Sequence, residues 1–259
     1  MTAVVARISI APIKALGLTH PEAVELTAGG VRGDRRFWLV DEDGRLYNNK
    51  RDGPLVLVRP AWDEETGELA LTFPDGAVVA GAVELGRPVE IELYGRPHPS
   101  RAVVGPWQDA ISAYADRRLQ LLWSEAHATD RGATGGVVSL VSRGSLERLR
   151  DEACADRPVD GRRFRMLLEL DGVPAHVEDD WIGRRVRVGS AEIVVNGDVG
   201  RCVVTSHDPD TGVTDLDTLG TLARYRPEGR VEPLPLGVFG AVVSPGRVRV
   251  GDAVSPSER

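Results

Sequence analysis

The sequence is poor in the residues around which many enzyme and binding classes are built. Its 259 residues hold only two cysteines and five histidines, and aromatic residues make up 5%. Cys154 and Cys202 are too few for a disulfide scaffold and do not supply the thiolates that a ferredoxin-type iron–sulfur cluster takes. The histidines fall at no H-x-x-x-H or zinc-finger spacing, and neither a Walker A loop nor a G-x-G-x-x-G occurs. Blocks of one charge are also missing. Lysine and arginine number 32 against 39 acidic residues, a formal charge of −7 with arginines scattered among the acids, so no nucleic-acid footprint is evident. No apolar run approaches the roughly 18 residues that a membrane helix needs. The opening MTAVVARISIAPIKALG has no basic segment leading into a signal-peptide core, and the expected location is the cytoplasm, away from membranes.

What remains is an ordinary globular composition, 42% hydrophobic and 27% charged, with 29 glycines and 17 prolines that point to many turns. From Val4 to about Pro97 short apolar stretches alternate with turn chemistry. Asp43-Gly44 and Asp75-Gly76 read as hairpin turns, since glycine accepts the positive φ they require. In GPWQDAISAYADRRLQLLW, Trp107, Ile111 and Tyr114 recur at helical spacing, and Leu119 to Trp123 follows as a strand. SRGSLERLRDEA predicts a second helix, capped by Ser142 or Ser145, with Leu146, Leu149 and Ala153 inward and Cys154 near its end. LDTLGTLARY predicts a third. FRMLLEL, RRVRVG, AEIVVNG, RCVVTS, FGAVVS and RVRVG all read as strands. Strands this numerous at short spacing favour a closed or nearly closed sheet over a doubly wound fold.

The segment VGRCVVTSHDPDTG, residues 199 to 212, carries the most chemistry. If RCVVTS is a strand, Cys202, Val204 and Ser206 share one face. Two readings of Cys202 stand side by side: a small buried hydrophobe, or a thiolate kept ionised by the neighbouring Arg201 and available to a metal or an electrophile. Local chemistry leaves both open. Cys154, among charges on a helix, reads as incidental.

The motifs narrow the choice. APIKALG, GDRRFWLVDEDG, SLVSRGSLERL, FRMLLELDG, EDDWIG and GRCVVTSHDPDTG occur in an order that resembles the MOSC family, in the form that carries an N-terminal MOSC β-barrel domain. This family includes amidoxime-reducing members and bacterial reductases of N-hydroxylated compounds. The resemblance implies a mainly β fold with a few helices (α+β), built from an N-terminal β-barrel-like domain over residues 1–118 and a MOSC β-barrel domain over 119–259. It also implies that Cys202 coordinates molybdenum beside the dithiolene sulfurs of a single pyranopterin, a pairing that suits a soft thiolate. Lys14, Arg36 and Arg165 are then the expected donors to the cofactor's phosphate and pterin, Thr134 with the amides of Gly135 and Gly136 an expected anion cradle, and Gly200 and Arg201, just ahead of the metal ligand, are expected to bind the cofactor as well.

Several positions depart from the family pattern. Leu167 stands where the reductases carry an asparagine, Gly200 and Ala15 where relatives have serines, and an acidic residue near Thr134 is absent. Asp208, Pro209, Asp210 and Gly212 read as a turn behind the metal ligand, His207 as a less favoured proton donor because the family pattern does not require a histidine there, and Glu178 to Asp180 as a solvated acidic turn. The leading expectation is a molybdenum-cofactor oxidoreductase that reduces N-hydroxylated or related N/S-oxygenated small molecules. With no cluster or flavin fingerprint in the chain, a separate ferredoxin-like or cytochrome-like donor protein is implied. Two alternatives stay open: a metal-free sulfur carrier with a persulfide on Cys202, and a non-catalytic cofactor-binding protein.

Overall fold

The computed structural model describes residues 3–93, 96–125 and 136–257. Its architecture is strand-rich, with α-helices at Trp107–Tyr114 (α1), Arg143–Glu152 (α2) and Thr218–Tyr225 (α3). A closed seven-stranded barrel runs in the order Ala3–Ile8, Leu168–Asp171, Val138–Ser142, Pro235–Ser244, Ala191–Gly200, Arg185–Val188, Ala253–Pro256 and back to the first strand. All of its pairings are antiparallel except that between Val138–Ser142 and Leu168–Asp171. Alternation explains the barrel. In Arg185–Val188 the valines are fully buried and the arginines point out, and Ala191, Ile193 and Val195 do the same from the paired strand.

The remaining strands form open antiparallel sheets. A five-stranded sheet has the order Leu46–Tyr47, Phe37–Val40, Gln120–Ser124, Arg96–Val104, Glu84–Leu93, and three-stranded sheets join Arg59–Asp63, Glu68–Thr72, Val78–Ala82 and Gly246–Arg249, Ala23–Thr27, Gly30–Val31. Both anticipated hairpin glycines have positive φ, 74° at Gly44 and 88° at Gly76. A second core lies under α1, where Trp107 and Ile111 are buried with Phe37, Leu39 and Leu121. The Trp107 indole Nε1 donates to Leu69 O at 3.0 Å, so the helix is held by both burial and a directed bond. Strand pairing crosses the expected boundary between residues 118 and 119: Ala3–Ile8 lies in the barrel, and Gln120–Ser124 pairs with Arg96–Val104 and Phe37–Val40.

Ser142 caps α2 by accepting from Ser145 N, and Leu146 and Leu149 turn inward while Ala153 is only half-buried. The acidic turn beside it differs from the expectation. Glu178 is fully buried, not solvated, because its carboxylate accepts from Ser142 N and from the hydroxyls of Ser142 and Ser145 at 3.1, 2.9 and 2.7 Å. Burial pushes its pKa up, against those hydrogen bonds. Among the described residues no helix is long and apolar enough to cross a membrane.

Candidate functional site

The strand Ala191–Gly200 ends because its last residue meets another segment. A Cβ on Gly200 would stand 2.8 Å from Glu232 Oε2 and 2.8 Å from Pro233 O, and the Gly200 amide donates to that same carboxylate oxygen at 2.8 Å. A serine here would collide, which accounts for the glycine. The following residues depart from the expected strand. Val203–Ser206 is a 3-10 turn with Cys202 at its N-cap, closed by Thr205 N and Oγ1, which donate to Cys202 O at 3.1 and 2.9 Å. The β-branched run suggested a strand, but a threonine that can bond its own backbone favours a turn. Cys202 is therefore a free, exposed cysteine, with Val204 half-buried and Ser206 buried rather than beside it on one face.

A cleft of about 460 Å3 opens at Cys202. Barrel residues reach it from four segments: Val138 and Ser139 at the start of Val138–Ser142, Leu167 just ahead of Leu168–Asp171, Phe239 within Pro235–Ser244, and Val199 and Gly200 at the finish of Ala191–Gly200. N-terminal loops close the other side with Lys14, Asp34, Arg35 and Lys50. Of the expected residues, Lys14, Gly136, Arg165, Gly200, Arg201 and Cys202 all line the cleft. Thr134 and Gly135 lie outside the described residues.

The cleft is cationic. Lys14 is buried, with its ammonium 5.1 Å from the centre of the Trp38 ring. Its pKa falls well below the usual lysine value, first through burial and then through the charges of Arg35, Arg165 and Lys50, with Cys202 opposing. Arg165 is pushed down to about 10, mostly by burial and next by Arg35, while Asp34 opposes. Its Nη2 is buried without a hydrogen-bond partner. Ala15, Arg35 and Arg165 hold φ of 82°, 51° and 52°, left-handed conformations that cost on the order of 1–2 kcal/mol each without glycine. Strain gathered at one cleft, beside an unpaired guanidinium nitrogen, is the pattern of a site shaped for an anion.

Two expected donors are arranged differently. The side chain of Arg36 is directed away from the cleft: Nη2 donates to Glu64 Oε1 at 3.1 Å, Nη1 to Ser124 O at 3.3 Å, and the guanidinium lies 4.7 Å from the Trp123 ring centre. Its neighbour Arg35, in a left-handed turn ahead of the strand Phe37–Val40, lines the cleft instead, with its guanidinium braced by the Asp34 carboxylate and by Arg165 O at 3.1 Å. Arg201 reaches the cleft wall but uses its guanidinium as a brace, Nε donating to Leu236 O at 2.8 Å and Nη1 to Phe164 O at 3.2 Å. Ala15 and Leu167 also line the cleft, and the Leu167 amide donates to Ser139 Oγ at 3.0 Å.

The DPDTG segment forms a turn, as anticipated. Asp208 Oδ1 accepts from Asp210 N at 2.8 Å and Thr211 N at 3.0 Å. Sequence reading missed the clamp on this turn. Arg162 binds Asp210 through two bonds of 2.8 and 2.6 Å, and Arg163 binds Asp215 through two of 2.6 and 2.7 Å. Gly212, at φ 70°, packs against Gly53, where a Cβ would lie 2.0 Å from Gly212 O. An adjacent arginine pair ahead of FRML and acids spaced through DPDTGVTD were the available signals, but only folding matches them.

Among the described residues no cluster of three or more His, Cys, Asp and Glu could hold a metal ion. A metal at Cys202 would have to arrive with most of its ligands, and the surrounding cations suit a phosphate-bearing carrier. The volume is within the usual range for cofactor sites. The residues present therefore fit such a group.

The fold and the cleft define a strand-rich protein that gathers cations around an exposed thiol at the end of a closed barrel. The chain belongs to the MOSC family: the MOSC domain model matches residues 127–255, and the MOSC N-terminal beta barrel domain model matches residues 2–116. Mitochondrial amidoxime-reducing component 1 of Mus musculus is 28% identical over 280 residues, covering 96% of this chain and 81% of its own. The Homo sapiens protein of that name is 26% identical over 284 residues, with 96% and 82% covered. Molybdenum cofactor sulfurase of Oryza sativa subsp. japonica is 23% identical over 253 residues, and the match covers 85% of this chain and 30% of that protein. Among solved structures, the YUAD protein from Bacillus subtilis aligns with a TM-score of 0.47 at 13% identity, covering 100% and 98% of the two chains.

Proposed function

We propose that this protein is a molybdenum-cofactor-dependent oxidoreductase that reduces N-hydroxylated or related N/S-oxygenated small molecules with electrons from a separate protein. The observation that carries the reading is the buried, unpartnered Arg165 Nη2 in a cleft that also ends at the exposed Cys202. The names of the amidoxime-reducing relatives supply the reaction class. In this reading residues 1–118 and 119–259 are the two domains, with Ala3–Ile8 lent to the barrel, Gln120–Ser124 lent to the N-terminal five-stranded sheet and Gly246–Arg249 paired with Ala23–Thr27.

Lys14, Arg35, Lys50 and Arg165 would hold the phosphate and pterin, and the Cys202 thiolate would be the protein's metal ligand. When bound, the cofactor would supply two-electron redox chemistry at the cleft. The overall change is R–NHOH + 2 e⁻ + 2 H⁺ → R–NH2 + H2O, so a donor and protons are both required. The Trp38 ring fixes the Lys14 ammonium, and the strained backbone at Arg35 and Arg165 aims their side chains before any ligand arrives, which reduces the ordering cost of binding. Arg162 and Arg163 hold the DPDTG turn and thereby fix the loop that follows Cys202.

A second reading, a persulfide carrier on Cys202, draws on the sulfurase relatives and on the exposed cysteine. The two are separated by one comparison. With the loaded protein and a chemical electron donor, Cys202→Ala should abolish benzamidoxime reduction and Cys154→Ala should leave it near normal. Equal activity in both variants would sink the reductase reading, whereas an added sulfur on Cys202 without metal, seen by mass spectrometry, would favour the carrier.

A further inference from the structure

A second chamber of about 360 Å3 adjoins the cleft. The two share Asn49, Arg163, Arg165 and Val204, and Val204 follows Cys202 closely in the 3-10 turn. Its apolar wall comes from Leu18, Leu57, Phe73 and Pro74, and facing segments bring Arg162, His207 and Asp210. A dry cavity of about 150 Å3 accommodates benzene, so this chamber has room for a single aromatic ring with a substituent. Apolar walls with a few convergent polar groups are the usual form of a small-molecule subsite.

Its charge balance is uneven. Arg162 is paired with both Asp160 and Asp210, and Arg163 with Asp215 and, at 3.5 Å, with Asp208. Two guanidinium groups are left over: Arg165, with its buried unpartnered Nη2, and Arg59, exposed on the strand Arg59–Asp63 with no side-chain bond or ion pair among the described residues. His20 adds little positive charge, since burial lowers its pKa and its Nδ1 lies 3.2 Å from Ile8 O as a donor. The chamber is thus apolar on one side and ion-paired around Arg162 and Arg163, and Arg59 stands at its rim outside those pairs, near enough to help lower the Asp210 pKa.

We propose that this chamber is the substrate subsite, that it seats the flat apolar body of the substrate against Leu57 and Phe73, and that it prefers compounds whose far end carries a carboxylate or another anion. Arg59 is the specificity-determining residue. The inference rests on the reductase reading above, and it goes beyond that reading by fixing where the substrate lies and which charge it carries.

The test uses wild type, Arg59→Gln and Leu57→Trp, each loaded with molybdenum cofactor, on benzamidoxime, 4-carboxybenzamidoxime and 4-(trimethylammonio)benzamidoxime. Wild type should favour the carboxylate over the cation in kcat/KM. Arg59→Gln should cut the carboxylate-to-neutral ratio by about fivefold, the effect of one partly exposed ion pair. Leu57→Trp should raise KM for every compound while molybdenum content stays unchanged. Calorimetric binding of 4-carboxybenzamidoxime to Cys202→Ser should show the same dependence on Arg59 without turnover. Reduction of benzamidoxime with a charge preference that Arg59→Gln leaves within twofold would overturn the subsite and spare the reductase. Arg59-dependent binding with no reduction of any compound would support an anion-selective pocket and sink the reductase. Neither binding nor reduction would overturn both.

Discussion

Replacing Arg201 with methionine is expected to destabilise the fold by about 3–5 kcal/mol and to affect cofactor retention only as a consequence. The magnitude follows from the partners of its guanidinium. Nε donates to Leu236 O at 2.8 Å, Nη1 to Phe164 O at 3.2 Å and Nη2 to Met166 Sδ at 3.0 Å, while the group lies 5.2 Å from the Phe164 ring centre. Leu236 and Phe164 are both buried, so neither carbonyl recovers a water when the donor is lost. Each orphaned carbonyl costs about 1–3 kcal/mol, and the lost cation–π contact adds about 0.5–2 kcal/mol. Methionine restores much of the apolar stem and returns part of that sum. Against a typical total stability of about 5–15 kcal/mol, such a loss should shift the urea midpoint far down at an unchanged slope. A change below about 1 kcal/mol, together with loss of cofactor from a well-folded protein, would refute the brace and restore Arg201 as a cofactor donor.

Other consequences are more local. Gly53→Ala places a Cβ 2.0 Å from Gly212 O and 3.1 Å from Gly212 C, backbone atoms that cannot rotate away. Overpacking of this kind costs about 1–3 kcal/mol, read as a lower thermal midpoint, and an unchanged midpoint would show that the DPDTG turn does not rest on this contact. The pairs Arg162–Asp210 and Arg163–Asp215 hold both carboxyls below their ordinary value of 3.8. A depressed folded-state pKa gives stability that is present above that value and lost as pH falls through the lower, folded one. Acid unfolding should therefore be steeper below about pH 4 in wild type than in an Asp210→Asn, Asp215→Asn double variant, and superimposable acid limbs would contradict the clamp.

The parts of the fold that periodicity governs were legible from the residues. Arg185–Val188 and the first six residues of Ala191–Gly200 alternate cleanly, and Trp107, Ile111, Leu146 and Leu149 recur at helical spacing, so strands, helices and buried faces followed. Barrel closure was less accessible, because Ala3–Ile8 pairs with strands more than a hundred positions away and nothing in AVVARI names its partners. VVTS misled for a different reason. Its β-branched pattern is that of a strand, but Thr205 closes a turn on Cys202 O, and the turn leaves the thiol exposed at the cleft.

Within the site, motif position identified the segments better than the individual side chains. GDRRFW supplied a cleft arginine, yet the left-handed turn at Arg35 puts that residue at the cleft, while Arg36 reaches Glu64 and Trp123. Gly200 appeared to be a lost polar contact; the packing of Glu232 and Pro233 against it shows that a side chain there has no room. Arg162 and Arg163 are visible as an adjacent pair, but the pair's meaning depends on Asp210 and Asp215, about fifty residues further on. Long-range electrostatic matching of that kind becomes visible only once the chain is folded.

The central claim is that Cys202 is the protein's ligand to a molybdenum cofactor held by the cationic cleft. The most direct measurement is molybdenum by elemental mass spectrometry, together with the fluorescent oxidised pterin, in wild type and Cys202→Ala purified from a cofactor-producing host. The account predicts near-stoichiometric metal and pterin in wild type, with molybdenum sharply reduced in the variant. Absence of both from wild type, or equal molybdenum in the two proteins, would contradict it.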